Sequence, residues 1–195
     1  MNLNYRLLAI FASVLAPGIL TNHVALAETI AKDSVAATSD SCITRKEINS
    51  AQKAWGDGIV SIGKAYTNEK DYKASAANLV AQLYDYEEST VLFKPTKASA
   101  KEFRLTEEEA VSYFVTGVIP EDHGFAIQPW SQVRFKNADM ILNCDSAFTM
   151  GNYYFTDANT GEEVKVDYTF GYRQDEDGKL YINLHHSSFP YQEAN

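Results

Sequence analysis

The chain has 195 residues, with 26 acidic against 17 basic side chains and a formal charge of −9. That length fits one domain with a substantial core. The acidic balance excludes the basic face that a phosphate backbone demands, so nucleic acid is not an expected partner.

Arg6 is the only charged side chain before an apolar run from Leu7 to Leu20, and Ala25-Leu26-Ala27 follows. This is the pattern of a signal peptide over residues 1–27, cut between Ala27 and Glu28. The run is interrupted by Pro17-Gly18 and is short for a bilayer. No later segment is apolar enough to cross one. The expectation is an exported protein, periplasmic or secreted, without a membrane span once the leader is removed. Cys42 and Cys144 then lie in a compartment where disulfides persist. They either pair across a long loop or stay as two buried thiols, and the spacing leaves both open. No Cys or His beside them has metal-ligand spacing.

Residues 28–43 are mostly small and polar and read as a flexible lead-in to a single domain over residues 44–191. Thr44 and Glu47 form a capping box, and Ile48, Ala51, Trp55, Ile59, Ile62 and Tyr66 follow at helical spacing. Gly56, Gly58 and Gly63 in that long helix favour close approach of a neighbour. A second helix starts near Glu69 and buries Tyr72, Ala76, Leu79, Val80 and Leu83. Tyr84–Tyr86 and Val91–Phe93 read as a short hairpin ended by Pro95. Thr106 and Glu109 stand within a second capping signal, opening a third helix that Gly117 closes. Pro120–Pro129 is a loop.

Strands follow over Gln132–Leu142 and Ala147–Asp157, and then a pair over Glu162–Tyr191 around the turn Asp175-Glu176-Asp177-Gly178. In the first of that pair Val164, Val166, Tyr168, Phe170 and Tyr172 share one face. In the second, regular alternation puts Ile182, Leu184, His186 and Ser188 on one face. Tyr181, Asn183, His185 and Ser187 take the other. Helices early and strands late define an α+β fold. Its expected form is a cone, a curved antiparallel sheet of four long strands plus a short hairpin wrapped around three N-terminal helices.

Asn78-Leu79-Val80, Leu83-Tyr84-Asp85-Tyr86, Asp177-Gly178-Lys179-Leu180 and Asn183-Leu184-His185-His186-Ser187-Ser188, with the element order, carry a family likeness. From Thr44 to Tyr191 the chain resembles the nuclear-transport-factor-2-like, or SnoaL-like, cone fold. Within it the chain is most similar to the association (hub) domain of calcium/calmodulin-dependent protein kinase II and its bacterial relatives. The resemblance implies self-association through the sheet face, as a homodimer or larger ring, and it places His185 at that interface. The hub family's inward arginines are mostly missing, their positions falling at Gly151, Phe170 and His186, so the pocket should be aromatic. The fold hosts both enzymes and binding proteins.

His186 shares its expected face with Ile182 and Leu184, so its ring should sit at the cone mouth as a general base; the resemblance implies that Asp85 reaches the pocket rim, as its orienting partner. An inert histidine held by a tyrosine hydroxyl is the plainer reading. Tyr84, Tyr86, Tyr153, Tyr168 and Tyr172 fall near the inferred cavity and suit a small organic ligand, or an ordinary core. Trp130 and Arg134 could hold an anion by stacking and charge, or Arg134 could pair with a surface acid. His123, His185 and His186 do not form a metal set, because adjacent strand residues point apart. Ser187 and Ser188 lack a nucleophile elbow. No kinase or nucleotide motif and no cofactor or metal site is read. The leading expectation is an exported, self-associating protein that binds a small organic ligand without catalysis. The alternative is an isomerase or dehydratase with His186 as base.

Overall fold

A computed structural model describes residues 42–193. The expected leader and most of the expected lead-in lie outside the described residues. Cys42 and Ile43 already belong to the folded body. Cys42 is disulfide-bonded to Cys144, and the buried Ile43 donates its N–H to the Asn143 carbonyl.

Helix α1 (Arg45–Thr67) begins at the expected box, with Thr44 and Glu47 satisfying one another's backbone N–H groups. Its buried stripe is Ile48, Trp55, Ile59 and Ile62, with glycines where neighbours come close. At Gly63 an added Cβ would stand 2.9 Å from the Ala126 carbonyl oxygen. Helix α2 (Tyr72–Leu83) is capped by Asp71 and packs against α1. Helix α3 (Glu107–Val115) has three glutamates in its first turn, where they complement the helix dipole. It ends at Thr116, which takes the positive φ of 72° expected of Gly117.

Strands β2 (Trp130–Leu142), β3 (Ser146–Asp157), β4 (Glu163–Gln174) and β5 (Leu180–Ser188) form a consecutive antiparallel meander. Strand β1 (Leu92–Lys94) adds to the far edge, giving the order β1-β5-β4-β3-β2. The concave face meets the helices around Trp55, which contacts the rings of Phe114, Phe135, Tyr153, Phe155, Phe170 and His185. This is the α+β cone fold that the order of elements predicts. One detail differs. Tyr84–Tyr86 and Val91–Phe93 do not pair as a hairpin. Tyr84 bridges Ile182, and β1 runs parallel to β5. Both segments therefore serve the edge that β5 leaves open.

The register of β5 slips by one residue. Tyr172 pairs with Ile182, while Gly171 pairs with Leu184, so Asn183 is the extra residue of a bulge. A one-residue slip exchanges the two faces of everything beyond it. Ile182, His185 and Ser187 consequently point into the cone, and His186 points out.

Candidate active site

Four hydroxyl groups from four segments converge inside the cone. Thr96 follows β1, Tyr113 lies on α3, Tyr153 on β3 and Ser187 on β5. The Thr96 hydroxyl donates to Ser187 Oγ at 2.8 Å. Both stand beside the phenol of Tyr153, and Thr96 also meets that of Tyr113. The Lys97 backbone N–H reaches the Tyr113 oxygen at 3.4 Å. Burial raises both phenols well above the ordinary tyrosine range, so each keeps its proton at physiological pH. Thr96 is half-buried and Lys97 is exposed, so the group opens to solvent on that side. Next to it lies a cavity of about 270 Å³ lined by Tyr66, Lys97, Tyr113, His123, Phe125 and Gln128, among others.

The loop that presents Thr96 is fixed from behind. Arg104 donates its backbone N–H to the Phe93 carbonyl, and its guanidinium meets Asp122 at 2.5 Å with both side chains fully buried. Asp122 also accepts from Ser112 Oγ at 2.7 Å. The Glu121 carboxylate accepts from the backbone N–H groups of Ser99, Ala100 and Lys101 and from Ser99 Oγ. Those bonds hold its pKa down to about 2. A loop anchored at this many points holds its hydroxyl in place without help from regular structure.

His185 backs the hydroxyl group. It is 2% exposed, stacked on Phe93 at 4.5 Å and edge-on to Phe170 at 4.1 Å. Its Nδ1 lies 2.8 Å from the Tyr84 hydroxyl and its Nε2 3.5 Å from that of Tyr153. Burial, and then the charge of His186, push its pKa well below the usual histidine range, so the ring is neutral at physiological pH.

The residues singled out from sequence scatter. His186 is exposed and faces away from the cone, so the expected base is corrected to the outside of the sheet, the bulge at Asn183 being the cause. Asp85 is no partner for it, because that carboxylate is 1% exposed and held bidentately by Arg173 at 2.6 and 2.7 Å. His185, expected at an interface, is the inward histidine. Tyr153 is one of the four converging hydroxyls, and Tyr84 stands behind them against His185. Tyr86 instead donates to the Arg104 carbonyl. Tyr168 joins a separate amide network with Gln52 and Asn137. Tyr172 is buried with its hydroxyl unpartnered. Trp130 is core, donating to the Phe125 carbonyl, and Arg134 is a surface residue paired with Glu163. They form no common anion site. Thr96, Tyr113, Ser187 and His185 were missed. The sequence feature that could have found the last two is Gly171, since a glycine inside a strand marks a bulge or a close approach.

Residues 46–189 match the family model described as metal-independent carbonic anhydrase. A metal-independent carbonic anhydrase of Nostoc sp. (strain PCC 7120) is 38% identical over 96% of this chain and 97% of its own length. The crystal structure of a cyanobacterial iota-carbonic anhydrase complexed with bicarbonate is 41% identical. It superposes with a TM-score of 0.75 over 78% of this chain and 95% of that one. These matches overturn the non-catalytic ligand binder expected above, a reading that rested on the expected aromatic pocket, the hub-like ending and the lack of a familiar catalytic set. The hub-domain likeness described the fold; in descent, the chain belongs to the metal-independent carbonic anhydrase family.

Proposed function

We propose that the protein interconverts carbon dioxide and bicarbonate at the hydroxyl group formed by Thr96, Tyr113, Tyr153 and Ser187. The carrying observation is that convergence, with Thr96 and Ser187 bonded to each other and the two phenols beside them. A hydroxyl both donates and accepts. Such a group can accept a hydrogen bond from the attacking water and donate to the oxygen on which charge develops. In hydration the water oxygen bonds to carbon, and one C=O electron pair moves to an oxygen that becomes anionic. The proton lost from water leaves through the hydroxyls toward the open side at Thr96 and Lys97. Donors fixed in a largely dry site stabilise the developing oxyanion without reorganising first. The bicarbonate held by the cyanobacterial relative supports the same substrate here.

Of the two functional readings of the sequence, the catalytic one is the better supported, although with different chemistry and a different histidine. A stopped-flow assay of carbon dioxide hydration on the purified protein tests the proposal. Acceleration above the buffer rate is expected, and its absence overturns the assignment.

Export and self-association belong to the same proposal. The disulfide suits an oxidising compartment, and no helix among the described residues is long and apolar enough to cross a membrane. Ile141, Phe148 and Met150 expose apolar surface on the outer face of β2 and β3, which suits contact with a second copy. Sedimentation equilibrium showing only monomer would remove the self-association.

A further inference from the structure

We propose that Trp55 and Tyr84 are positioning residues, forming with His185 a one-way chain of hydrogen-bond donors that turns the Tyr153 hydroxyl toward Thr96 and Ser187. The direction follows from the chemistry of the groups. An indole N–H donates and cannot accept. Trp55 Nε1 lies 2.9 Å from the Tyr84 oxygen, so that oxygen receives a hydrogen bond. The hydrogen of Tyr84 has one acceptor at hand, His185 Nδ1 at 2.8 Å. Were Nδ1 to donate instead, the Tyr84 hydroxyl hydrogen would be stranded in a site that is 2% exposed, with the penalty of an unmet buried donor.

Nδ1 is therefore the acceptor. A neutral imidazole with an accepting Nδ1 carries its hydrogen on Nε2. That nitrogen faces the Tyr153 oxygen at 3.5 Å, the long link of the chain. Receiving there, the Tyr153 oxygen turns its own hydrogen away from the histidine, to the side where Thr96 and Ser187 stand. Run in reverse, the chain would require the indole to accept, which it cannot do. Neither Trp55 nor Tyr84 is among the four hydroxyl residues, so they act through His185 and Tyr153 only.

This inference deepens the carbonic anhydrase reading and rests on it, but its first test does not use activity. Nitrogen NMR of the intact protein, with His185 identified by its loss in His185→Gln, reports which ring nitrogen carries the hydrogen. The Nε2–H tautomer is expected, and an Nδ1–H tautomer or a charged ring at neutral pH overturns the chain. The second test compares Tyr84→Phe and Trp55→Phe in carbon dioxide hydration, with folding checked by near-UV circular dichroism. In Tyr84→Phe the tautomer preference is expected to be lost. kcat should fall about tenfold, the rate equivalent of one hydrogen bond, with KM little changed. Trp55→Phe should lower kcat in the same sense by a smaller factor. A folded Tyr84→Phe with altered tautomer and full kcat would overturn the positioning role. Should Tyr84→Phe fail to fold, Trp55→Phe and the wild-type tautomer decide. Should the wild type show no hydration activity, the functional reading fails, and the positioning role with it. The tautomer would still decide the direction of the hydrogen-bond chain.

Discussion

Ile182 and His185 point to the same face of β5 although they stand three positions apart, because the strand bulges at Asn183. In a regular strand residues three apart face opposite ways. The bulge thus moves an imidazole from the outside of the sheet to the back of the hydroxyl group, with Ser187 beside it. Gly171 on the neighbouring strand makes room. A Cβ there would stand 2.9 Å from Asn183 Oδ1 and 3.0 Å from Leu184 Cβ.

Gly171→Ala should therefore impair activity as well as stability. Its methyl group must push Asn183 and Leu184, and β5 passes that shift to His185 and Ser187. A loss of about 1–2 kcal/mol is expected from overpacking of this kind. It should be read from denaturant unfolding, with a several-fold fall in carbon dioxide hydration. Full activity in a destabilised variant would show that the bulge does not set the site.

Ser187→Ala and Thr96→Val each remove a hydroxyl from the proposed oxyanion cradle and leave the core packing nearly unchanged. Each should lower kcat for hydration by about 100-fold, the usual cost of one such donor. Because the two are bonded to each other, the double variant should lose far less than the product of the single effects. Stopped-flow kinetics of the three variants gives that comparison.

His186→Ala is expected to leave hydration within about twofold of wild type and stability within about 0.5 kcal/mol, as for a surface change away from any bonded network. Its side chain is exposed, on the face of β5 opposite His185. A large activity loss would return the histidine role to the residue that regular alternation selects.

Acidification should unfold the protein in two separable stages. Burial among Phe93, Phe170 and Trp55, and then the charge of His186, depress the pKa of His185 in the folded chain. The unfolded chain, with an ordinary histidine pKa of about 6.5, therefore binds the proton first. Stability is fully present above that pH and is lost below it, by about 1.4 kcal/mol per unit until the folded-state pKa is reached. The groups facing the ring are the hydroxyls of Tyr84 and Tyr153, which stay protonated throughout this range. Glu47, Glu109, Glu121, Asp139 and Asp157 also have depressed pKa values, but they draw on stability only below the ordinary carboxylate range. Denaturant unfolding between roughly pH 6.5 and 5 should show the histidine slope, and His185→Gln should flatten it.

Arg104→Met should destabilise strongly, because it leaves the Asp122 carboxylate buried without its ion pair. A loss of about 3–5 kcal/mol is the usual size for breaking such a pair from one side. The double variant Arg104→Met/Asp122→Asn should recover part of it, as thermal unfolding would show.

The capping boxes, the apolar stripe of α1, the alternation of β4 and the order of elements all follow from local periods and side-chain chemistry. They are enough to define an α+β cone. Tyr84 and Tyr153 are both buried in the cone, although the same reading put Tyr86, Tyr168 and Tyr172 beside them without distinction. The inward histidine could not be placed. Its face depends on a bulge allowed by Gly171, a residue on another strand, and reading β5 alone by strict alternation selects His186. The hydroxyl group lay further still from view. Thr96 and Ser187 are separated by 91 positions, and neither belongs to a motif whose spacing advertises its chemistry. Sequence by itself determined which faces are apolar and which elements form. Only the tertiary structure decided which polar side chains share the interior, because convergence of distant segments is a property of packing rather than of local periodicity.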